Sequence, residues 1–503
     1  MKEVTIIFFP EKKKVTVSLG TDLLTAAVQA GAPLVSSCGG KGICGRCRVK
    51  ILKGNFETEA TGKISPEDKD KQIYLACRTF AHSDMDVEIL PESQLATGVT
   101  AEIHERKSPQ PFLEEIEGIF PLVPLTKKFF VPLRKPSQQL TGSNLTKIET
   151  LLTQQGIAPL STNLATLRRL AQLWRQNQTG LTVTVGERDD RKEIILLEPG
   201  DTSGRHFGVA VDVGTTTVSA SLLCLNTGQT LRTELAFNRQ ASYGEDVVTR
   251  IVFAEKEKGL EQLHHAVVET INQLIFSLAK HAGVGLQEIT AVVCSGNMTM
   301  SHLLLKIDPF FLRREPYEPI ANHFPVVDAA EAGIRINPSG LLAVVGGVSS
   351  YVGGDITAGL LSVPLARKSE ISLLLDIGTN GEMVLGNKDW LVCCSASAGP
   401  AFEGSGVKDG MRAVSGAIES VEIILKGSKE EVKVITIDGQ PPLGICGSGY
   451  VELLNVFSAR GIIDRSGNFV VSSHRIRECP EGREYLLVEP EQAGHGRFNA
   501  RCG

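Results

Sequence analysis

No run of apolar residues in this chain approaches the about 18 that a membrane-crossing helix needs, so no helical span is expected. The opening stretch MKEVTIIFFPEKKK is a charged strand, not a secretory signal. Basic stripes are also missing. With 52 Lys and Arg against 57 Asp and Glu, the formal net charge is −5, and nothing matches the footprint that a phosphate backbone demands. No G-x-x-x-x-G-K-[ST] run occurs, which leaves a P-loop ATPase without support, and there is no H-E-x-x-H or second cysteine cluster for a further metal site. These absences lead to the expectation of a cytoplasmic protein with neither nucleic acid nor membrane as partner. A length of 503 residues with 42% hydrophobic content suffices for roughly three or four domains with cores of their own.

What is present begins with the cysteines. Cys38, Cys44 and Cys47 stand in SSCGGKGICGRCRVKI, and Cys77 follows in YLACRTF. Three thiolates in one glycine-rich loop plus a distant fourth can wrap a [2Fe-2S] cluster, a one-electron carrier. The loop must curl through positive φ angles, which Gly39, Gly40, Gly42 and Gly45 permit. The alternatives are a four-cysteine zinc site or a pair of disulfides. Zinc ribbons carry two C-x-x-C pairs and this stretch has one, which favours the cluster. Around the loop, 2–9 and 14–19 alternate as a strand hairpin, 22–30 reads as a helix capped by Thr21, and 49–52 and 87–90 supply further strands. Cys224, Cys294, Cys393, Cys394 and Cys446 are expected to be buried free thiols.

Prolines recur through 91–136 without a sustained period, which predicts an extended connector. A small α/β module should follow, with helices at 145–155 and 164–177 and strands at 181–185 and 194–197 around the charged turn GERDDRK.

An internal repeat comes next. Residues 207–223 read FGVAVDVGTTTVSASLL and 371–385 read ISLLLDIGTNGEMVL; each is an apolar strand ending in Asp, then x-Gly-Thr, then a second strand. Further turns at 226–228 and 386–389 suggest three-stranded meanders. Backbone N–H groups in such a turn form a nest for phosphate oxygens, and an Asp at the strand end can hold hydrated Mg²⁺. The expected phosphate turns are therefore Asp212, Gly214, Thr215 and Thr216, and Asp376, Gly378, Thr379 and Asn380, together able to clamp one ATP. Asp212 and Asp376 take the catalytic role. Glu403 and Asp355 read as cap or turn residues, Met298, Met300 and His302 as core, and His264 and His265 as the solvated face of a helix over 260–282.

The 1–91 segment resembles the adrenodoxin and putidaredoxin branch of the ferredoxins. The duplicated D-x-G-T pattern resembles the superfamily of actin, sugar kinases and heat-shock chaperones. With NRQASYGEDVVTRI, SGNMTMSHLLLKIDP, YVGGDITAGLL, SASAGPAFEGSGVKDGMRAVSGAI and GICGSGYVELL, the chain is similar to the ATP-dependent reductive activators of corrinoid proteins. That resemblance implies an α/β and α+β multidomain protein: a β-grasp [2Fe-2S] ferredoxin at 1–92, a proline-containing linker at 93–140, a small α/β middle domain at 141–204, and an actin-like ATPase domain of duplicated ribonuclease-H-like lobes at 205–503. It also implies a reaction in which one electron returns a corrinoid cobalt from Co(II) to Co(I). The cofactors would be the cluster and ATP with Mg²⁺, and the partners a corrinoid protein or methyltransferase subunit and an upstream reductant, with a homodimer among the expected assemblies. An electron carrier or redox sensor whose actin-like part only binds the corrinoid protein is the alternative. Family members continue past GICGSGYVELL into a glycine-rich segment that packs on adenosine, whereas this chain ends in EQAGHGRFNARCG. A missing C-terminal part, weakened ATP binding and exposed apolar surface near 451–456 are therefore expected.

Overall fold

The computed structural model of the chain describes every residue except 1, 33, 35–39, 41, 43–44, 91–92, 94–98, 103–121, 133–141, 159, 177–179, 379, 398–408, 412, 414, 427–428, 471–472, 480–481, 490–500 and 503. Two compact units divide at Pro364: Met1–Pro364 and Leu365–Gly503. Among the described residues no helix is long and apolar enough to cross a membrane.

Alternating Val4, Ile6 and Phe8 send one face of β1 (Glu3–Phe9) into a core, and β1 pairs antiparallel with β2 (Lys13–Ser18) as the hairpin pattern predicts. Helix α1 (Leu23–Ala30) packs beneath. Its cap is Asp22 and not Thr21, because the Asp22 carboxylate reaches the Thr25 N–H at 2.9 Å while the Thr21 hydroxyl turns back to donate to the Ser18 carbonyl. With β3 (Arg48–Lys53), β4 (Ile73–Leu75) and β5 (Met85–Ile89), the sheet runs β2-β1-β5-β3-β4, and β1 and β5 lie parallel.

Beyond it, β6 (Val99–Glu102) adds to the edge of a later sheet. Part of the stretch read as a connector is a strand, β7 (Thr126–Pro132), because Thr126 and Lys128 are buried on one face of it and Val131 on the other. Its proline sits at the end of an edge strand, where the missing donor costs nothing. Helix α2 (Asn144–Thr153), β8 (Leu160–Thr162), α3 (Leu164–Arg175), β9 (Gly180–Arg188) and β10 (Arg191–Pro199) complete a module with sheet order β8-β10-β9-β7 and its own core of Ile148, Leu152, Leu173, Leu181 and Val183.

A seven-stranded sheet follows. The meander β11 (Phe207–Val213), β12 (Thr217–Cys224) and β13 (Thr230–Phe237) is as the repeat predicts. Helices α4 (Val247–Ala254) and α5 (Gly259–Ala282) cross over to β14 (Ile289–Gly296), then α6 (Met298–Leu304), β15 (Val327–Asp328), β16 (Leu341–Val344) and α7 (Gly354–Ser362), giving the order β15-β16-β14-β11-β12-β13-β6. Leu263, Val267, Ile271, Leu274 and Leu278 recur at helical spacing and bury α5 on this sheet. Strands β11, β14 and β16 are parallel, so their carboxyl ends lie side by side, the place where open α/β sheets bind ligands.

In the second unit the repeat recurs as a three-stranded meander of β17 (Ser372–Ile377), β18 (Asn380–Gly386) and β19 (Leu391–Ser397). Strands β20 (Ala417–Lys426), β21 (Lys429–Thr436) and β22 (Gly444–Ile445) enclose Ile418, Val421 and Ile423 with Leu453 and Phe457 of α8 (Gly447–Ala459). Val451 and Leu454, on the other side of α8, are about half exposed. Cys294 and Cys446 are buried free thiols and Cys224 and Cys393 partly so; Cys394 departs from expectation and is exposed, on the alternate face of β19 from the packed side.

Candidate functional site

Two centres lie in the first unit. At the first, Gly40, Gly42 and Gly45 adopt φ of +89°, +75° and +73°, the left-handed turns that bring Cys47 to the start of β3. Cys77 sits in the single turn Ala76–Arg78 after β4, and the Ala76 N–H donates to the Cys47 carbonyl at 2.8 Å, which holds the two segments together. The Cys47 and Cys77 sulfurs stand 3.3 Å apart, both buried. That is well beyond the ~2.05 Å of a disulfide. It is near the ~3.8 Å that two thiolates would span on one tetrahedral metal with bonds of about 2.3 Å. The contact with Cys77 outweighs burial and pulls the Cys47 thiol down to about 7, toward the thiolate, the ligating form. These residues fit an iron–sulfur centre. Cys38, Cys44 and Gly39 lie outside the described residues.

The second centre is the turn between β11 and β12. Its three carbonyls are all engaged on one side: Gly214 accepts from Asn238 Nδ2 at 2.9 Å, Thr215 from Arg250 Nη2 at 2.5 Å, and Thr216 from the Asn238 N–H at 2.8 Å. A trans peptide points its N–H opposite its carbonyl, so the N–H groups of Thr215, Thr216 and Thr217 each point away from these carbonyl partners. Asn297, at the end of β14, donates from Nδ2 to the Thr215 hydroxyl at 3.0 Å while its Oδ1 caps α6. A Cβ on Gly214 would stand 2.4 Å from the Thr217 carbonyl, so only glycine closes this turn. Asp212 is exposed one residue before the end of β11. Backbone N–H groups in a turn of this kind can form an anion nest, and the Asp212 carboxylate lies beside it.

In the second unit Asp376 is exposed near the end of β17, and the Gly378 N–H donates to the Asn380 carbonyl at 2.8 Å; Thr379 lies outside the described residues. Asp376 stands directly across from Glu382, which is 7% exposed and accepts from the Ser395 hydroxyl.

Met298, Met300 and His302 are core residues. The His302 Nδ1 donates to the Met298 carbonyl at 2.9 Å and Nε2 accepts from the Ile320 N–H, while burial depresses the ring's pKa. His265 is exposed, but His264 is half-buried with its Nδ1 2.9 Å from the Leu304 carbonyl, so the solvated reading fails for it. Asp355 lies in the first turn of α7 and accepts from the Ile356 N–H; Glu403 is outside the described residues. Asn238, Arg250, Asn297 and Glu382 had no assigned role from sequence. The local signals were Asn238 and Asn297, cap-type residues each directly after a strand.

Four family models match the chain: the 2Fe-2S iron-sulfur cluster binding domain at 8–82, the RACo linker region at 116–204, the RACo middle region at 207–368, and the C-terminal domain of RACo, the ASKHA domain, at 370–499. A solved structure described as a reductive activator for corrinoid, iron-sulfur protein is 40% identical, with TM-score 0.69, over 99% of this chain and 79% of that one. The chain belongs to the family of reductive activators of corrinoid proteins. Other relatives of this activator are the corrinoid activation enzyme RamQ of Eubacterium limosum, 27% identical over 92% of this chain and 72% of that protein, and the [Co(II) methylated amine-specific corrinoid protein] reductase of Methanosarcina barkeri, 26% identical over 52% of each. The activator thus combines a ferredoxin-type domain with an actin-like fold, as its two repeat turns and cysteine loop predicted.

Proposed function

We propose that this activator passes one electron at a time to a corrinoid protein, returning its cobalt from Co(II) to Co(I), with ATP supplying the driving force. The observation that carries the reading is a pair of buried thiols at ligating separation in the same compact unit as a glycine-closed turn whose carbonyls are held by Asn238 and Arg250. The relatedness to corrinoid activators along almost the whole chain supports it. Cys38, Cys44, Cys47 and Cys77 would hold a [2Fe-2S] cluster, which supplies one-electron transfer when bound. Asp212 with Gly214, Thr215 and Thr216 binds phosphate oxygens and a hydrated Mg²⁺, and Asp376 with Gly378, Thr379 and Asn380 is the equivalent element of the second unit.

The need for ATP follows from the energetics. Each 59 mV of uphill one-electron transfer costs about 1.4 kcal/mol, so a coupling of about 3 kcal/mol between nucleotide and redox partner offsets a gap on the order of 120 mV. The test is anaerobic spectroscopy of a Co(II) corrinoid protein mixed with the activator and a low-potential reductant. Co(I) should accumulate only when ATP and Mg²⁺ are both added. Equal reduction without nucleotide would refute the coupling.

A further inference from the structure

Arg250 heads the largest fully buried side chains of the described residues, with 0% exposure, although it carries a charge. Each nitrogen of its planar fork donates: Nη2 to the Thr215 carbonyl at 2.5 Å, Nε to the Gly244 carbonyl at 2.8 Å, and Nη1 to Gln240 Oε1 at 3.0 Å. One rigid group therefore bolts the turn at 214–216 to the 238–246 loop. Asn238, at the start of that loop, grips the same turn through the Gly214 and Thr216 carbonyls.

The far end of the loop meets the ferredoxin-type domain. Glu245, next to Gly244, pairs with Arg46 at 3.7 Å, and Arg46 is the residue before Cys47. Ser242 and Tyr243 line a cleft of about 170 Å³ whose opposite wall includes Gly40 and Cys77. An unbroken path of covalent and polar links thus runs from the turn at 214–216, through Arg250 and Gly244, to Glu245, Arg46 and the cysteine pair.

We propose that Arg250 is a positioning residue that couples the two centres: occupancy of the turn is transmitted through the 238–246 loop to the Glu245–Arg46 contact and alters the surroundings of the Cys47 thiolate. The proposal rests on the electron-delivering, nucleotide-binding reading above. Cluster potentials respond to nearby charge, hydrogen bonding and solvent access, so moving a guanidinium beside a ligating cysteine is a direct means of tuning one. The pair is only partly exposed, with the Arg46 and Glu245 side chains at 40% and 14%, so nucleotide binding measured on each variant serves as the check that the fold survives. Lysine at 250 keeps the charge but, as a point donor, cannot bridge two carbonyls in fixed geometry.

The experiment is a redox titration of the full chain, with and without the non-hydrolysable analogue AMP-PNP and Mg²⁺, read as the change in midpoint potential that nucleotide produces, alongside calorimetric binding of the same probe. The intact chain should bind AMP-PNP and shift its potential. Glu245→Gln and Arg46→Gln should bind it with unchanged affinity and lose most of the shift, while Arg250→Lys should lose the shift and bind several-fold more weakly. Because the readout is a difference, any baseline change from losing a charge cancels. A full shift in both Glu245→Gln and Arg46→Gln, or no shift in an intact chain that binds AMP-PNP, overturns the coupling and leaves electron delivery standing. An intact chain that binds no AMP-PNP overturns the nucleotide reading on which the coupling rests.

Discussion

Cys77 closes the first centre from a distance, and replacing it removes one of two buried sulfurs without opening a large void. Cys77→Ser should therefore fold, keep its nucleotide binding, and lose most iron and visible absorbance relative to the parent on anaerobic purification. Asp212→Ala should do the reverse, keeping full iron content while binding of Mg²⁺-nucleotide weakens roughly tenfold or more, about 1.4 kcal/mol, by calorimetry. A third residue reports on acid stability. His206 is 1% exposed, its Nε2 3.1 Å from the Thr126 hydroxyl at the contact of β7 with the start of β11, and burial lowers its pKa from 6.5 to about 4. Above pH 6.5 the ring is neutral folded or unfolded and contributes nothing. As pH falls from 6.5 to 4, the unfolded chain binds a proton that the folded chain refuses, so stability drops, by roughly 3 kcal/mol at most. Urea midpoints measured across that window should fall more steeply in the parent than in His206→Asn.

At the scale of elements, the β11–β12 turn depends on a backbone approach that no side chain tolerates. Gly214→Ala must displace the Thr217 carbonyl, so nucleotide binding should fall at least tenfold by calorimetry while the α5 core keeps the unit folded. Ile271→Ala in that core should instead cost about 2–5 kcal/mol in urea unfolding and spare binding at the turn in the molecules that remain folded. The meanders around Asp212 and Asp376, the hairpin of β1 and β2, and helix α5 were legible in the sequence because each is a local period ending in a local turn. Strand β7 was not, because Pro124 just before it and Pro132 at its end mask an extended segment that only pairing with β9 reveals. Asn238 and Arg250 were equally hidden: they reach the turn from 24 and 35 residues away, and no spacing rule connects a strand-end turn to a cap or a helix so distant. The Asp22 cap was missed by one position because either Thr21 or Asp22 suits a helix start, and only the hydrogen bond to Thr25 distinguishes them.

At the scale of the molecule, the first unit gathers the cores of the ferredoxin-type domain, the 126–199 module and the seven-stranded sheet, and places a buried cysteine pair and the β11–β12 turn within one compact body, while the second carries a meander of its own. A ferredoxin needs no phosphate turn and an actin-like lobe needs no iron ligands, so their union is meaningful only if electron transfer and nucleotide binding answer to each other. The most direct measurement is a single turnover. The activator is reduced anaerobically, freed of excess reductant, and mixed with a Co(II) corrinoid protein, and the Co(I) formed per reduced protein is read from the absorption spectrum. The account predicts close to one Co(I) per reduced activator with ATP and Mg²⁺ present and almost none without them. An equal yield under both conditions, or none under either from protein with its full iron content, would contradict it.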